Sequence, residues 1–356
     1  MVPKLLFATS GEALRKNIGR GEGKVVLDAL GASSSVYLLD DLPARLTADE
    51  GSELVRGTLQ AHQDIAGVVL LGGYDVLPAH RMDCLPPEVR QGLSSRSVRS
   101  DADRFIVWSD DAYGDRDGDR WPDVPVSRIP DGRTAALVFT ALQAVRDGRP
   151  RERCGIRNAA RQFADEIFSL LPGATPLLTS GPTVFDATPS PQLDAEMVYL
   201  MLHGSPDDGT HFWGESQECI AAHLSNVPRQ AGAVVLTGCC WGALTVEQPA
   251  FRMIAGEAPA PRTPDASLAL TFLEHGALAF VGCTGSHYSP MTPPYDFFGG
   301  PMHREFWQQL KSAPPAQALF LAKEAYRRAL PHGQEGVGEA IEYKILRQFT
   351  CLGLGW

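Results

Sequence analysis

The chain has 356 residues, enough for one large or two medium α/β units around a sizeable core. With 44% hydrophobic and 21% charged residues it has a globular composition, which excludes a disordered, collagen-like or coiled-coil chain. Its formal net charge of -10 argues against a nucleic-acid binder, because neutralising phosphates needs a basic face.

The opening apolar run Leu5-Leu6-Phe7-Ala8 passes at once into polar Thr9-Ser10-Gly11-Glu12, too short for a signal peptide. The apolar runs at 68–71, 233–236 and 277–281 fall far short of the roughly 20 residues of a membrane span. The 7 cysteines are odd in number and irregularly spaced, and no pair of CxxC knuckles exists for a zinc ribbon. A cytoplasmic protein with reduced thiols and no membrane partner is the expectation. Its oligomeric state is not legible.

In chain order, short apolar runs alternate with amphipathic stretches, which predicts an α/β fold with a mostly parallel sheet. Strands are expected over 4–8, 35–39, 67–71, 104–108, 175–179, 198–202, 233–237 and 278–282. Helices are expected over 11–19, 50–63, 133–146, 159–171, 216–225, 267–275, 302–311, 316–330 and 335–347. The polar segment 85–100 reads as a mobile loop. Gly148-Arg149-Pro150 reads as a joint between two α/β subdomains, 1–148 and 149–356.

Two strand ends carry chemistry. Met197-Val198-Tyr199-Leu200-Met201-Leu202 ends at His203-Gly204, and Ala233-Val234-Val235-Leu236-Thr237-Gly238 ends at Cys239-Cys240-Trp241-Gly242. Ligands of open parallel sheets bind beyond the carboxyl ends of strands. The spacing from His203 to Cys239 leaves room for one crossover, expected as a loop and the helix at 216–225. That crossover puts both residues at one edge. An imidazole near a thiol is what a nucleophilic cysteine needs, since the thiolate attacks. Gly238 and Gly242 are expected to keep the approach to the sulfur open.

The strand–His-Gly and strand–small–Cys-x-x-Gly pattern resembles clan CD cysteine peptidases, and most closely the gingipain family. Val68–His80, Ser109–Gly114 and Pro125–Pro130 resemble successive gingipain segments, and Ala277–Ser286 resembles the strand and turn after the nucleophile. The resemblance implies a caspase-like three-layer sandwich of two α/β subdomains. It also implies a cysteine endopeptidase in which Cys239, three residues before Gly242, attacks and His203 manages the proton. Cys240 falls at a variable position.

By the same resemblance the backbone amides of Cys239 and Gly204 stabilise the oxyanion. Asp165 or Glu166 orients His203 or helps bind substrate, and either reads equally as a solvated helix charge. Thr284 and Ser286 wall the cleft, and His211 and Trp213 are further candidates for lining it. Cleavage after Arg or Lys is implied, with Asp165, Asp207 and Asp208 as partners for the basic side chain. Cleavage after Asp needs a basic pocket, and no Arg adjoins either motif. The substrate is expected to be a protein or peptide, and related peptidases act on dedicated partners in bacterial defence or cell death.

No cofactor is required for such chemistry. The run Asp115-Arg116-Asp117-Gly118-Asp119 with Asp123 resembles an oxygen-rich calcium loop, or equally a solvated acidic turn. Arg90, Arg96 and Arg99 make 85–100 a candidate self-cleavage segment against the plainer reading of a flexible loop. Two other functions stay open: a catalytically silent scaffold, and a redox sensor using a Cys239–Cys240 disulfide.

Overall fold

The computed structural model describes residues 4–145, 152–181, 193–229, 232–254 and 257–356. Its elements run β1 (Lys4–Ala8), α1 (Gly11–Ile18), α2 (Arg20–Gly31), β2 (Val36–Leu39), α3 (Ala48–Ala61), β3 (Ile65–Leu71), β4 (His80–Asp83), α4 (Pro87–Gly92), α5 (Ser95–Ser100), β5 (Ile106–Ser109), β6 (Val126–Ile129) and α6 (Ala135–Gln143). They continue β7 (Arg153–Arg157), α7 (Phe163–Ser169), β8 (Leu178–Thr179), β9 (Met197–Met201), β10 (His211–Trp213), β11 (Ile220–His223), β12 (Val234–Thr237), α8 (Leu268–Glu274), β13 (Ala279–Cys283), α9 (Gly299–Gln309), α10 (Pro315–Ala329), α11 (Val337–Gln348) and β14 (Phe349–Leu352).

One 10-stranded sheet in the order β2-β1-β3-β6-β14-β13-β12-β9-β7-β8 forms the middle layer. Its strands β3, β9, β12 and β13 are nearly continuous apolar runs because helices cover both faces. Residues from α1, α2, α6 and α8 pack on one face, and residues from α7, α9, α10 and α11 on the other. Strand alternation divides β9 between them: Val198 and Leu200 enter the first cluster, Tyr199 and Met201 the second.

The pairing is parallel except between β13 and β14, where Cys283 faces Phe349 and Phe280 faces Leu352 in antiparallel register. β14 meets β6 at the single pair Leu352–Arg128, and beyond it the Ser127 hydroxyl donates to the Leu354 carbonyl (2.8 Å) while Gly355 N–H donates to the Leu278 carbonyl (3.1 Å), so β6 starts beside the start of β13. The carboxyl ends of β3 and β6 therefore lie at the same edge as those of β12 and β13: Gly132 packs on Pro264, and Tyr74 clusters with Leu244 and Trp241. The last strand of the chain thus joins the two halves of the sheet. The expected joint at 148–150 lies outside the described residues.

Several expectations are corrected. The segment 216–225 is no helix. A turn closed by Gly214 N–H to the Cys219 carbonyl (2.8 Å) sends the chain back, and β11 pairs with β10. The segment 85–100 is not irregular but holds α4 and α5. The expected strand at 104–108 starts two residues late and pairs with β4 in a separate ribbon. Among the described residues no helix is long and apolar enough to cross a membrane.

Candidate active site

β9 and β12 are adjacent and parallel, with Thr237 opposite Leu200, so both chains leave the sheet at the same edge. His203 leaves β9 and is held by a two-way backbone bridge to Trp213: its N–H donates to the Trp213 carbonyl (2.8 Å), and Trp213 N–H donates back (3.1 Å). Its ring stacks on Trp213 with centroids 6.1 Å apart, and His211, on the same hairpin, lies 5.9 Å from the indole. These aromatics, expected to line the cleft, orient the histidine. Burial pulls the His203 pKa down and Arg161 pulls it further, with Glu215 opposing. The imidazole is therefore neutral near pH 7, as a proton acceptor must be.

Cys239 begins the turn after β12. It is fully buried, and its Sγ lies 3.8 Å from the Leu200 carbonyl. Burial pushes its thiol up to about 12, against the opposing influence of the Thr237 hydroxyl and Arg161. Its amide, expected to serve the oxyanion, already donates to Thr237 Oγ1 (3.0 Å). Cys240 is only half-buried, and its sulfur accepts the His287 N–H at 3.3 Å. Gly204 has a steric reason to be glycine, because a Cβ there would run into the Cys240 carbonyl. The His203-Gly204 turn and the cysteine pair therefore touch. Gly238 does not open a path to the sulfur. Its missing Cβ makes room for Met201 (2.5 Å) and His303 (2.8 Å).

The acidic residues fall elsewhere. Asp165 pairs with Arg157 (2.9 Å) and Glu166 faces Arg304 (4.0 Å), both carboxylates half exposed on α7. Asp207 pairs with Arg252, and Asp208 accepts from Thr210 N–H (2.8 Å) and hydroxyl (2.6 Å). The carboxylate that acts electrostatically on His203 is Glu215, which sequence reasoning missed. It accepts from Ala159 N–H (2.8 Å) and the Ser180 hydroxyl (2.9 Å).

Thr284 and Ser286, expected as cleft walls, are structural. Thr284 is buried and donates to the Trp108 carbonyl (2.6 Å). Ser286 belongs to a buried network in which Lys344 Nζ donates to Asp101 (2.5 Å), Asp103 (2.7 Å) and the Ser286 hydroxyl (2.6 Å). Asp103 also accepts the indole N–H of Trp241 at 3.0 Å. Trp241, next to Cys240, has a left-handed backbone (φ 52°) and so depends on such bracing.

Arg161 is the second residue missed. It follows β7, is buried, and donates from NH1 to the Gly238 carbonyl at 2.9 Å. The expectation that no arginine adjoins the motifs is corrected by this contact, which sequence distance conceals.

Asp115, Asp117 and Asp123 bring oxygens within 4.8 Å of one another, whereas Asp119 is not in that group. The loop already satisfies itself. Asp115 accepts N–H groups of Asp117 (3.0 Å), Gly118 (2.7 Å) and Arg120 (2.9 Å), and Asp123 accepts that of Arg116 (2.7 Å). Calcium there would have to compete with these amides.

By sequence, no protein-family model and no curated protein matches the chain. By structure, it superposes on the complex of Porphyromonas gingivalis RgpB pro- and mature domains with a TM-score of 0.61, 14% identity, and coverage of 98% of this chain and 78% of that one. The Arg-specific cysteine proteinase gingipain R (RgpB) gives 0.60, 14%, 99% and 77%. The chain has a gingipain-like fold. A further protease structure matches at 0.60 with 12% identity over 100% of this chain and 78% of that one. The caspase-like α/β sandwich expected from the sequence is thereby borne out. At such identities the likeness concerns the fold, and the site residues rest on the geometry above.

Proposed function

We propose that the chain is a cysteine endopeptidase in which a thiol at the end of β12 attacks the scissile carbonyl and His203 takes and returns the proton. The observation that carries this reading is the pairing of β9 and β12, which sets His203-Gly204 against Cys239-Cys240 on a fold shared with cysteine proteinases. The thiolate adds to the carbonyl carbon. His203 protonates the leaving amine, and water then releases the acyl group with His203 as base. The Gly204 amide is the proposed oxyanion donor beside that of the attacking cysteine.

Cys239 is the first candidate for the attacking sulfur, on its spacing to Gly242 and on the Thr237 hydroxyl and Arg161 charge, which favour its thiolate. Cys240 is the second, on its partial exposure and its contact with His287. The substrate is a protein or peptide, and a dedicated protein partner suits the reading. The basis for cleavage after Arg or Lys is weakened, because Asp165, Asp207 and Asp208 are already partnered.

The test is hydrolysis of a quenched peptide library by the wild type, Cys239→Ala, Cys240→Ala and His203→Ala. Loss of at least about 10⁴-fold in one cysteine variant and in His203→Ala is expected. Undiminished activity in all three variants, or none in the wild type, overturns the reading.

A further inference from the structure

Beneath Cys240 lies a set of nitrogen groups that the dyad does not use. His287 is buried, and neither of its ring nitrogens has a hydrogen-bond partner. His303 is fully buried; its Nδ1 meets the Tyr199 hydroxyl at 2.9 Å, and its Nε2 has no partner. The two imidazoles stack with centroids 5.2 Å apart and planes 10° from parallel. The stack begins at the thiol, since the His287 backbone N–H points at Cys240 Sγ. His303 reaches the underside of Gly238, whose carbonyl accepts from Arg161.

Arg161 supplies the charge. Its hydrogen bond goes to a carbonyl, which uses one of a guanidinium's five donors and neutralises nothing. No carboxylate pairs with it among the described residues. The buried acids Asp101 and Asp103 are held by Lys344. Burial keeps His287 neutral, and the groups that lower its pKa further, His303, Arg161 and Lys344, are all bases. The region under the thiol thus holds one cation without a carboxylate and two buried imidazoles, each with a ring nitrogen lacking a partner. A buried cation without a counter-charge is costly, and an incoming anion removes that cost.

We propose that Arg161, with His287 and His303, receives an acidic side chain of the substrate, so that cleavage follows Asp or Glu. This rests on the peptidase reading and names its substrate class. A carboxylate accepts on two oxygens and can bridge the guanidinium and an imidazole N–H, in charge-assisted bonds that a neutral amide makes only weakly. A lysine or arginine side chain in the same place sets cation against cation with little water between them. Arg161 is here a specificity-determining residue, apart from the proton transfer assigned to His203.

The experiment uses the full chain and six quenched peptides that differ only in the residue before the scissile bond: Asp, Glu, Asn, Ala, Arg and Lys. kcat/KM for Asp or Glu is expected to exceed that for Asn by about 10²-fold or more, and that for Arg and Lys by a wider margin. Arg161→Gln is expected to lower the acidic substrates by about 10²-fold more than Ala and Asn, whose common loss reads the weaker support of the Cys239 thiolate. Arg161→Lys, which keeps the charge, is expected to recover part of the preference, and circular dichroism of each variant shows that the fold is retained. Cleavage after Arg or Lys, equal rates for all six peptides, or an equal loss on all six in Arg161→Gln overturns this inference and leaves the peptidase reading standing. Failure to cleave any peptide overturns both.

Discussion

The buried thiol of Cys239 makes a prediction about chemical reactivity that is independent of substrate. Burial pushes the thiol up to about 12 from a usual value near 9. A rise of about three in pKa corresponds to about 4 kcal/mol, or about 10³-fold less thiolate at any pH below 9. The thiolate is the species that iodoacetamide alkylates, and the sulfur is also fully shielded, so access slows the reaction further. Cys240 is half-buried, one residue away. Brief labelling with iodoacetamide at pH 8, followed by peptide mass spectrometry, is expected to find Cys240 modified first and Cys239 lagging by at least about 10³-fold. Cys239 labelling is expected to keep rising above pH 10 instead of levelling off near 9. Equal rates at the two sulfurs below pH 9 would refute the burial argument. If Cys239 is the nucleophile, substrate must bring it together with His203, and a peptide aldehyde should change its labelling rate.

The remaining predictions concern the frame around the thiols. The lowered pKa of His203 places the acid limb of kcat/KM below the ordinary imidazole value of about 6.5, and Glu215→Gln should move that limb lower still, because Glu215 favours the protonated ring. Lys344→Met leaves Asp101 and Asp103 buried without their cation and should cost about 3–5 kcal/mol in urea unfolding, with part recovered by adding Asp101→Asn and Asp103→Asn. Gly204→Ala forces a methyl into the Cys240 carbonyl and should cost about 1–3 kcal/mol in stability together with most of the activity. Calcium titration followed by thermal unfolding should give no saturable shift, because backbone amides already occupy the Asp115 carboxylate.

That His203 and Cys239 leave the sheet at one edge was legible because two apolar runs each end beside a glycine, and parallel pairing then sets them together. What lay around it was not. β7 reads Arg153-Cys154-Gly155-Ile156-Arg157, and its charged ends hide a buried strand. The Arg153 guanidinium reaches the carbonyls of Phe168 (2.9 Å) and Leu171 (2.6 Å), so a residue that looks solvent-facing closes a loop. With β7 missed, Arg161 fell in the first turn of the helix expected over 159–171 and not beyond a strand's carboxyl end. β14 follows α11 with no intervening turn residue, so no break in the sequence announced it. Ser286 is polar beside a small-residue turn and invited assignment to a cleft, but its partners Asp101 and Lys344 are 185 and 58 positions away. The contacts that decided these roles are tertiary, and no local pattern encodes them.

β14 alone runs against its neighbours, so strands of both halves of the sheet end at one edge, and general expectation alone places a site beyond either half. Hydrogen-bond satisfaction separates them. Beyond β3 and β6 Asp131 accepts the Gly73 N–H (2.7 Å), Asn17 donates to Asp75 (2.9 Å), and Arg133 pairs with Asp75 (2.9 Å). Charges there are matched within the chain, although one Asp75 oxygen has no partner. Beyond β12 and β13 three imidazole nitrogens, both of His287 and Nε2 of His303, lack partners beside a guanidinium bonded to a carbonyl. An unsatisfied buried polar group costs about 1–3 kcal/mol. Folding alone gives no reason to gather several of them next to two thiols and a third imidazole. A substrate that bonds to them recovers that energy on binding, so the cost falls where the proposed recognition and acyl transfer can use it.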